Sequence, residues 1–325
     1  MSSADELTRL INGHQLSQAI CVAAELGVAD ILADGARTSD YLADATGTSA
    51  DALYRLLRAL ASVGILREEN GRLFALTDMG EALRSDAQDS VAAIAVHVGL
   101  PYIREAWSAL AESVRTGENA FRLVHGVSNW EYRARRPEEN AIFDRYIAAI
   151  TRRGTRALFD AYDFGRFETI VDVGGGNGSF LMALHTEHPS TRGIVFDQPH
   201  VVDGLDLGDS IEVVAGNFFE SVPAGGDAYV LKWILHDWED EPAIAILRAV
   251  RRSGAPVLVI ERLLGPPNEG AETKLADLNM LVGPGGRERT LDEYHALFEA
   301  ADYRLVRATA SAVELHVLEG EPATL

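Results

Sequence analysis

One stretch, TIVDVGGGNGSF at positions 169–180, constrains this chain more than any other. Its first residues are typical of a buried strand, its middle is rich in glycine, and a helix is predicted to begin near Gly178. The glycines of the turn are Gly174, Gly175, Gly176 and Gly178. A glycine turn that leads into a helix lets backbone N–H groups approach a ligand closely. The stretch therefore predicts an α/β fold with a ligand site at the turn.

The spacing of these glycines bears on which ligand the turn accepts. Gly174, Gly176 and Gly178 follow a G-x-G-x-G pattern, whereas the dinucleotide fingerprint would place its third glycine at the position of Ser179. This disfavours a nicotinamide-dependent reductase. With Asp172 two residues before the first glycine, the loop resembles that of S-adenosylmethionine (SAM) methyltransferases, in which the acid holds the amino group of the cofactor. On its own, the loop also fits a plain glycine turn without a ligand.

The charge of the chain limits its partners. The 325 residues carry a formal net charge of −20 and a pI of about 4.8, which argues against nucleic acid or an anionic membrane as the main partner. No signal peptide opens the sequence and no apolar run approaches the length of a membrane span, so we expect a cytoplasmic protein. The only cysteine, Cys21, excludes a disulfide within the chain and a cysteine metal cluster.

The N-terminal part is predicted to be a winged helix. Apolar residues recur at helical spacing through residues 7–32, and a short helix capped by Thr38 or Ser39 ends at Gly47. A second helix, capped by Ser49, ends at Gly64. Two short apolar runs then flank an Asn-Gly dipeptide, which is a strong hairpin signal.

Winged helices often bind DNA, but the charge of this one disfavours that function. Residues 1–95 contain seven arginines, no lysine and fourteen acidic residues, a net charge of −7. DNA binding requires that phosphates be neutralised. We therefore expect residues 1–95 to be a dimerisation domain whose apolar helices pack against a second copy.

Residues 96–160 are expected to form a helical linker that contributes to a substrate pocket. Phe143, Tyr146 and Ile147 recur at helical spacing and could line such a pocket, and a plain core contact is the alternative.

From residue 161 to residue 325, short apolar runs alternate with helical segments. The predicted strands are 169–173, 193–196, 211–214, 228–231, 257–260, 303–308 and 313–318. Such alternation predicts a Rossmann-like, doubly wound and mostly parallel sheet, and the short link between the last two strands predicts an antiparallel pair.

Polar and aromatic residues follow the first five of these strands, and ligands on such sheets bind beyond the carboxyl ends of the strands. Asp197 follows the second strand, where a carboxylate can accept hydrogen bonds from both ribose hydroxyls. After the third strand, the amide of Asn217 can meet the edge of an adenine, and Phe218 offers an apolar face. The fourth and fifth strands lead to Lys232 and Glu261. This row favours a ligand that contains a nucleoside.

The chain contains, in this order, the motifs VDVGGGNG, FDQPHVV, GNFF, LKWILHDWED and GGRERT. Together they resemble the plant-type small-molecule O-methyltransferases, the family of caffeic acid and hydroxyindole O-methyltransferases and of many bacterial natural-product enzymes. The resemblance covers nearly the whole chain. It implies an N-terminal α-helical winged-helix dimerisation domain, a Rossmann-like SAM-binding domain at 161–325, a homodimer, and conversion of SAM to S-adenosylhomocysteine.

The residues and the resemblance together assign the expected contacts. The cofactor is expected to contact Asp172, Gly174, Gly176, Gly178, Asp197, Asn217, Phe218, Lys232 and Trp238. In the family pattern the glycine loop holds the methionine part of SAM and Trp238 packs on adenine. The same pattern implies that His236 is the catalytic base and that Glu261 and Glu288 orient it. The substrate pocket is expected to include Trp107, Phe143, Tyr146, Ile147, Asn279 and Met280.

The chain departs from the family pattern at several positions. Asn217 stands where aspartate is usual, and we expect weakened SAM binding because an amide can still accept a hydrogen bond from the adenine amino group. The segment between Asp197 and Ile211 is short, which would trim a helix beside the cofactor. Asn129 replaces a residue that is usually aromatic, and Ile147 replaces a methionine that clamps aromatic substrates in many relatives.

The expected chemistry explains the need for a base. A phenol has a pKa of about 10, and a histidine, with an unperturbed pKa of about 6.5, can take its proton during the reaction. A carboxylate on the other ring nitrogen fixes the tautomer. The sequence thus predicts a SAM-dependent O-methyltransferase that acts on an aromatic small molecule without a metal. The alternatives are N- or C-methylation, non-methylating SAM chemistry, and a SAM-responsive DNA-binding regulator.

Overall fold

The computed structural model describes residues 2–323 as two compact units. The first unit contains the chain up to Arg104 together with Ala141–Ala149, and the second contains Glu105–Asn140 and the chain from Ile150 onward. A single long helix, Pro137–Ala161, thus contributes its middle residues to the first unit. The division of the chain into domains at 1–95, 96–160 and 161–325 stays a prediction.

The first unit combines helices with a small antiparallel sheet. Its elements are α1 (Ser3–Ile11), α2 (Gly13–Glu25), α3 (Val28–Ile31), β1 (Arg37–Thr38), α4 (Ser39–Thr46), α5 (Ala50–Ser62), β2 (Leu66–Glu69), β3 (Leu73–Leu76), α6 (Asp78–Glu81) and α7 (Ala92–Gly99). The strands lie in the order β1-β3-β2. Two helices followed by a hairpin confirm the predicted winged helix.

Local signals set the boundaries of α4 and α5. The side chain of Thr38 accepts a hydrogen bond from the N–H of Tyr41, and α4 ends at Gly47, whose φ of 65° favours glycine. Ser49 stands at the start of α5 as predicted, but its side chain makes no capping hydrogen bond within residues 2–323. The apolar face of α5 provides three buried leucines to the core of the unit.

The segment predicted to be mostly helical is helical in the structure. It contains α8 (Pro101–Ser108), α9 (Leu110–Thr116), α10 (Ala120–His125), α11 (Asn129–Ala134) and α12 (Pro137–Ala161). In residues 2–323, no helix combines the length and the apolar composition that crossing a membrane would require.

The second unit is built around a seven-stranded sheet. Its strands are β4 (Thr169–Val173), β5 (Arg192–Asp197), β6 (Ile211–Ala215), β7 (Ala228–Lys232), β8 (Val257–Glu261), β9 (Tyr303–Ala310) and β10 (His316–Pro322). Its helices after β4 are α13 (Ser179–Glu187), α14 (Pro199–Val202), α15 (Asp240–Arg251), α16 (Ala271–Val282) and α17 (Leu291–Ala300). The strand order is β6-β5-β4-β7-β8-β10-β9.

This topology confirms the predicted fold class. The strands β4 to β8 are parallel, and β10 is antiparallel to both of its neighbours. The central strands are apolar on both faces because helices cover both, so Val171 and Ile170 enter different core clusters. The last strand begins at His316 rather than at 313, because Ser311 Oγ donates to the carbonyls of Val313 and Leu315 and holds the link in an irregular turn.

Candidate active site

The site is built at one edge of the large sheet. Because β4 to β8 are parallel, their carboxyl ends meet at this edge. The chain builds outward from β4 in one direction and from β7 in the other, so the topological switch point lies between these two strands. The glycine loop follows β4 and the segment that carries His236 follows β7. The structure therefore brings the two most informative motifs of the sequence to the same point.

The glycine loop is held by its neighbour β5. The N–H of Gly174 donates to the carbonyl of Phe196 at 2.8 Å, and the N–H of Gly176 donates to Asp197 Oδ2 at 2.9 Å. The three glycines of the pattern have φ values of 74°, 56° and 75°, which favour glycine. A Cβ added to Gly176 would meet no atom within 4 Å, so the loop leaves open space at this position.

Two groups of opposite charge lie at the carboxyl ends of the central strands, the buried Asp172 and the partly buried Lys232. Burial raises the pKa of Asp172 to about 7, although the charge of Lys232 opposes this. Burial likewise lowers the pKa of Lys232 to about 7, against the charges of Asp172 and Glu261. Lys232 Nζ donates to Thr151 Oγ1 at 3.0 Å and lies 3.3 Å from the centroid of the Trp233 ring. A ligand that carries both an ammonium and a carboxylate would balance the two charges, its ammonium that of Asp172 and its carboxylate that of Lys232.

Asp197 lies at the end of β5 with both oxygens in use. Its Oδ2 accepts the N–H of Gly176, and its Oδ1 accepts the N–H of Gln198 at 2.7 Å. Burial raises the pKa of Asp197, and these two hydrogen bonds oppose the rise. A carboxylate has about four lone-pair sites, so two stay available to a pair of hydroxyls.

The amide of Asn217 is engaged in its own turn. Its Oδ1 accepts the N–H of Phe219 at 3.1 Å, and its Nδ2 donates to Glu220 Oε1 at 3.1 Å. Its expected contact with adenine stays a prediction. The short segment after Asp197 contains only the four-residue helix α14.

An aromatic cluster stands beside this turn. The ring of Trp238 is nearly perpendicular to those of Phe218 and Phe219, with centroids 6.2 and 4.9 Å away. Phe219, which is 37% exposed, was not among the predicted site residues, although its place in the GNFF motif is a usable signal. The three rings form an apolar wall after β6 and β7.

The segment that carries His236 is held by its backbone N–H groups. It forms a short 3₁₀ turn, Leu235–Asp237, that begins two residues after Trp233, whose φ of 54° is unusual for an aromatic residue. Glu261 Oε1 accepts the N–H groups of Ile234, Leu235 and His236 at 3.1, 3.0 and 3.3 Å. One oxygen of a buried carboxylate thus fixes three consecutive residues at the start of the turn.

The carbonyl groups of the same turn are held by a buried guanidinium. Arg289 is 1% exposed, and it donates to the carbonyl of Leu235 at 3.0 Å, to the carbonyl of Trp238 at 2.7 Å and to Asp240 Oδ1 at 2.8 Å. Arg289 is the second arginine of the GGRERT motif, and no role was predicted for it from the sequence. The structure shows that this arginine links the two residues that flank His236-Asp237.

The preceding residues of that motif also touch the turn. The N–H of Arg287 donates to the carbonyl of His236 at 2.8 Å. A Cβ on Gly286 would overlap the backbone of His236, Asp237 and Trp238, so only glycine allows this close approach.

Three carboxylates surround the imidazole of His236. Its Nδ1 lies 3.1 Å from Glu288 Oε1 and 3.4 Å from Glu261 Oε2, and its Nε2 lies 3.6 Å from Asp237 Oδ1. The residues His236, Glu261 and Glu288 are 8%, 0% and 2% exposed. The structure therefore brings the three predicted catalytic residues together. It adds Asp237, which appeared in the sequence only as part of the LKWILHDWED motif.

The charges of this cluster decide its protonation. Burial alone would lower the pKa of His236, but the charges of Glu261 and Asp237 and the hydrogen bond to Glu288 outweigh it and raise the pKa to about 10. Burial raises the pKa of Glu261 to about 7 and that of Asp237 to about 6, and the imidazolium opposes both shifts. The carboxylates of the cluster therefore stabilise the protonated form of the imidazole.

The residues expected to line the substrate pocket are divided between the two units. Asn279 and Met280 lie on α16 in the second unit, and Trp107, 36% exposed, lies on α8 in the same unit. Phe143, Tyr146 and Ile147 lie in the part of α12 that belongs to the first unit. There, the ring of Tyr146 stacks on His97 at 4.4 Å. Their role in a pocket stays a prediction.

Comparison with protein families gives two matches. Residues 107–304 match the model of the O-methyltransferase domain, and residues 8–86 match the model of the O-methyltransferase dimerisation domain. Together the two matches cover most of the chain, including the winged helix and the sheet edge described above.

Individual proteins agree with these matches. A phenazine O-methyltransferase of Lysobacter antibioticus is 39% identical over 97% of this chain and 95% of its own length. An 8-amino-8-demethylriboflavin N,N-dimethyltransferase of Streptomyces davaonensis is 36% identical over 87% of this chain and 85% of its own length. The structure of human N-acetylserotonin methyltransferase in complex with SAM superposes with a TM-score of 0.93 at 27% identity, covering 100% of this chain and 99% of that one.

Proposed function

We propose that this chain, which belongs to the O-methyltransferase family, moves a methyl group from SAM to a phenolic hydroxyl of an aromatic small molecule, with His236 as the general base. The chain is a SAM-dependent O-methyltransferase by family. The observation that supports the base is the contact of His236 Nδ1 with two buried carboxylates, which assigns proton acceptance to the other ring nitrogen, Nε2, 3.6 Å from Asp237 Oδ1.

The residues at the switch point fit SAM as the cofactor. Bound SAM supplies a methyl group on a positively charged sulfur. The open position at Gly176 gives backbone access to the methionine part, and Asp172 and Lys232 provide charges for its amino and carboxylate groups. The lone pairs of Asp197 suit the ribose hydroxyls, and Trp238 offers a face for adenine.

The base acts through proton transfer at one atom. As the substrate oxygen gains the methyl group, its O–H bond breaks and the proton passes to Nε2 of His236. Glu288 and Glu261 hold the proton of Nδ1 and stabilise the imidazolium that forms. The free protein favours the imidazolium, so His236 must lose a proton before it can act as a base. The positive charge of bound SAM would lower the pKa of His236 and so favour this loss, and a rise in pH also favours it.

The aromatic class of the acceptor is supported by the relatives. The relative from Lysobacter antibioticus is named for a phenazine, and the human structure is named for N-acetylserotonin. A second candidate is N-methylation, which the riboflavin-type relative supports. A phenol loses its proton far more readily than an aromatic amine, so the carboxylate-supported base favours the hydroxyl. Mass spectrometry with paired phenol and aniline acceptors separates the two candidates.

We further propose that the enzyme is a homodimer joined through its first unit. Helix α1 carries Leu7, Leu10 and Ile11 at 59%, 61% and 65% exposure and has no buried residue within the described structure. A stripe of this kind needs a partner surface in water. The match of residues 8–86 to a dimerisation domain supports a second copy as that partner.

A single variant tests the base. His236→Ala should lower the turnover number by about 100-fold to 10,000-fold, the range that general-base catalysis supplies, while SAM affinity measured by calorimetry changes little. His295→Ala is the matched control because His295 is half exposed and pairs only with Glu299 at 3.6 Å among its described ionic contacts. Full activity of His236→Ala on phenols identified in a mass-spectrometric screen would show that the base is wrongly assigned.

A further inference from the structure

The buried cluster around His236 has the composition of a metal site as well as that of a catalytic triad. One ligand atom from each of His236, Glu261 and Glu288 can be chosen so that all three lie within 4.8 Å of one another. Glu261 and Glu288 lie 25 and 52 residues after His236, so the sequence shows no short metal-ligand spacing that would reveal this arrangement. The methyl transfer proposed above needs no metal, so the cluster raises a separate question about which ions it binds.

We propose that His236, Glu261 and Glu288 form an inhibitory binding site for Zn²⁺ or a similar divalent transition-metal ion. The inhibition rests on the proposed role of His236 as base, whereas the binding does not.

The geometry suits such an ion. In a tetrahedral zinc site with bonds of about 2.0–2.2 Å, neighbouring ligand atoms stand about 3.4 Å apart. His236 Nδ1 lies 3.1 Å from Glu288 Oε1 and 3.4 Å from Glu261 Oε2. Imidazole nitrogen and carboxylate oxygen are both zinc ligands, and three protein ligands leave the fourth tetrahedral position to water. The hard cation Mg²⁺ prefers oxygen ligands alone and should bind poorly.

Two buried and incompletely hydrogen-bonded carboxylates supply the driving force. Within residues 2–323, Glu261 Oε2 and Glu288 Oε2 are buried and have no hydrogen-bond partner. Glu261 and Glu288 are 0% and 2% exposed, so their carboxylates are costly to leave uncompensated. In the proposed catalytic state the imidazolium provides part of this compensation. A dication provides more, and it takes the place of the proton on Nδ1.

The same placement explains why binding would stop catalysis. Coordination through Nδ1 releases the proton from that nitrogen and leaves a proton on Nε2. The imidazole is then the wrong tautomer, because Nε2 is the atom that must accept the proton of the substrate. The ion also binds the carboxylates of Glu261 and Glu288, which can then no longer stabilise an imidazolium.

The test uses Co²⁺ as a spectroscopic probe, because its visible absorption bands are intense only in tetrahedral surroundings. The full-length protein without SAM should bind one Co²⁺ per chain with intense bands that Zn²⁺ abolishes by displacement. His236→Asn and Glu288→Gln should each weaken this binding by about 100-fold or more, since each replaces a strong ligand with a neutral amide, and even outer-shell changes cost about 10- to 100-fold. Glu288→Asp, which keeps a carboxylate, should weaken it less. His295→Ala, which alters an exposed histidine–glutamate pair, should leave it unchanged.

Activity provides the second readout. Zn²⁺ should inhibit methyl transfer at concentrations that match its displacement of Co²⁺, and a chelator should restore full activity. Equal Co²⁺ spectra for the wild-type protein and His236→Asn would overturn the metal site, and so would loss of the spectrum in His295→Ala. Tight binding at this cluster without inhibition would overturn the inhibitory role. Failure of the proposed function is distinguishable, since it appears as activity that survives His236→Ala.

Discussion

The pKa of His236 should depend strongly on the charge of Glu261. The substitution Glu261→Gln keeps an oxygen that can accept the three N–H groups of the turn, but it removes the negative charge 3.4 Å from Nδ1. Glu288 remains in place at 3.1 Å to orient the imidazole. The variant therefore changes mainly the electrostatics of the base.

The size of the effect follows from this distance. At an effective dielectric constant of about 20, two unit charges 3.4 Å apart interact by about 5 kcal/mol. With about 1.4 kcal/mol for each pH unit, and with relaxation of the neighbouring groups, the midpoint of His236 titration should fall by about 2 to 3 pH units. The direction is downward because Glu261 raises the pKa of His236 in the wild-type protein.

Two measurements follow this change. Imidazole NMR titration of the free protein reports the pKa directly, with His236→Asn used to assign the resonance. The pH profile of kcat/KM for a phenolic acceptor should rise toward alkaline pH in the wild-type enzyme and should begin its rise at lower pH in Glu261→Gln, whatever the maximal rate.

The control is Glu239→Gln. Glu239 is an exposed surface residue that pairs with Arg287, so its loss should leave the midpoint unchanged. A midpoint in Glu261→Gln equal to or above that of the wild-type protein would refute the electrostatic reasoning.

Three further variants test the support of the site and the proposed dimer. Arg289→Met should lower both kcat and the unfolding temperature, because the carbonyls of Leu235 and Trp238 lose their donor at a cost of about 1 to 3 kcal/mol each. Partial rescue of kcat by added guanidinium, but not by methylammonium, would separate a positioning role from general destabilisation. Gly286→Ala should lower the free energy of unfolding by about 1 to 3 kcal/mol and abolish most of the activity, since the new Cβ would overlap the backbone of the turn that carries His236. Urea unfolding and steady-state rates equal to those of the wild-type protein would contradict this. Leu10→Glu should convert a dimer to a monomer in light scattering, whereas Val114→Glu, equally exposed but outside the dimerisation match, should not.

The sequence alone determined the fold and the strand ends at which the candidate site lies. The strand, glycine turn and helix at 169–187 appear in the structure as predicted, because periodicity and glycine content act locally. The winged helix was predictable for the same reason, since caps and an Asn-Gly turn mark its boundaries. The row of residues at strand ends was also readable, because parallel strands bring their carboxyl ends together whatever the side chains are.

Only the tertiary structure decided how the site is held. Glu261 and Glu288 lie 25 and 52 residues from His236, and nothing in their local sequence states which nitrogen they contact. The same holds for Arg289, whose burial at 1% exposure turns an apparently ordinary surface residue into the donor to two carbonyls. The reason is physical. Local sequence sets backbone conformation, whereas hydrogen bonds and charge interactions between distant segments arise only when packing removes water from them.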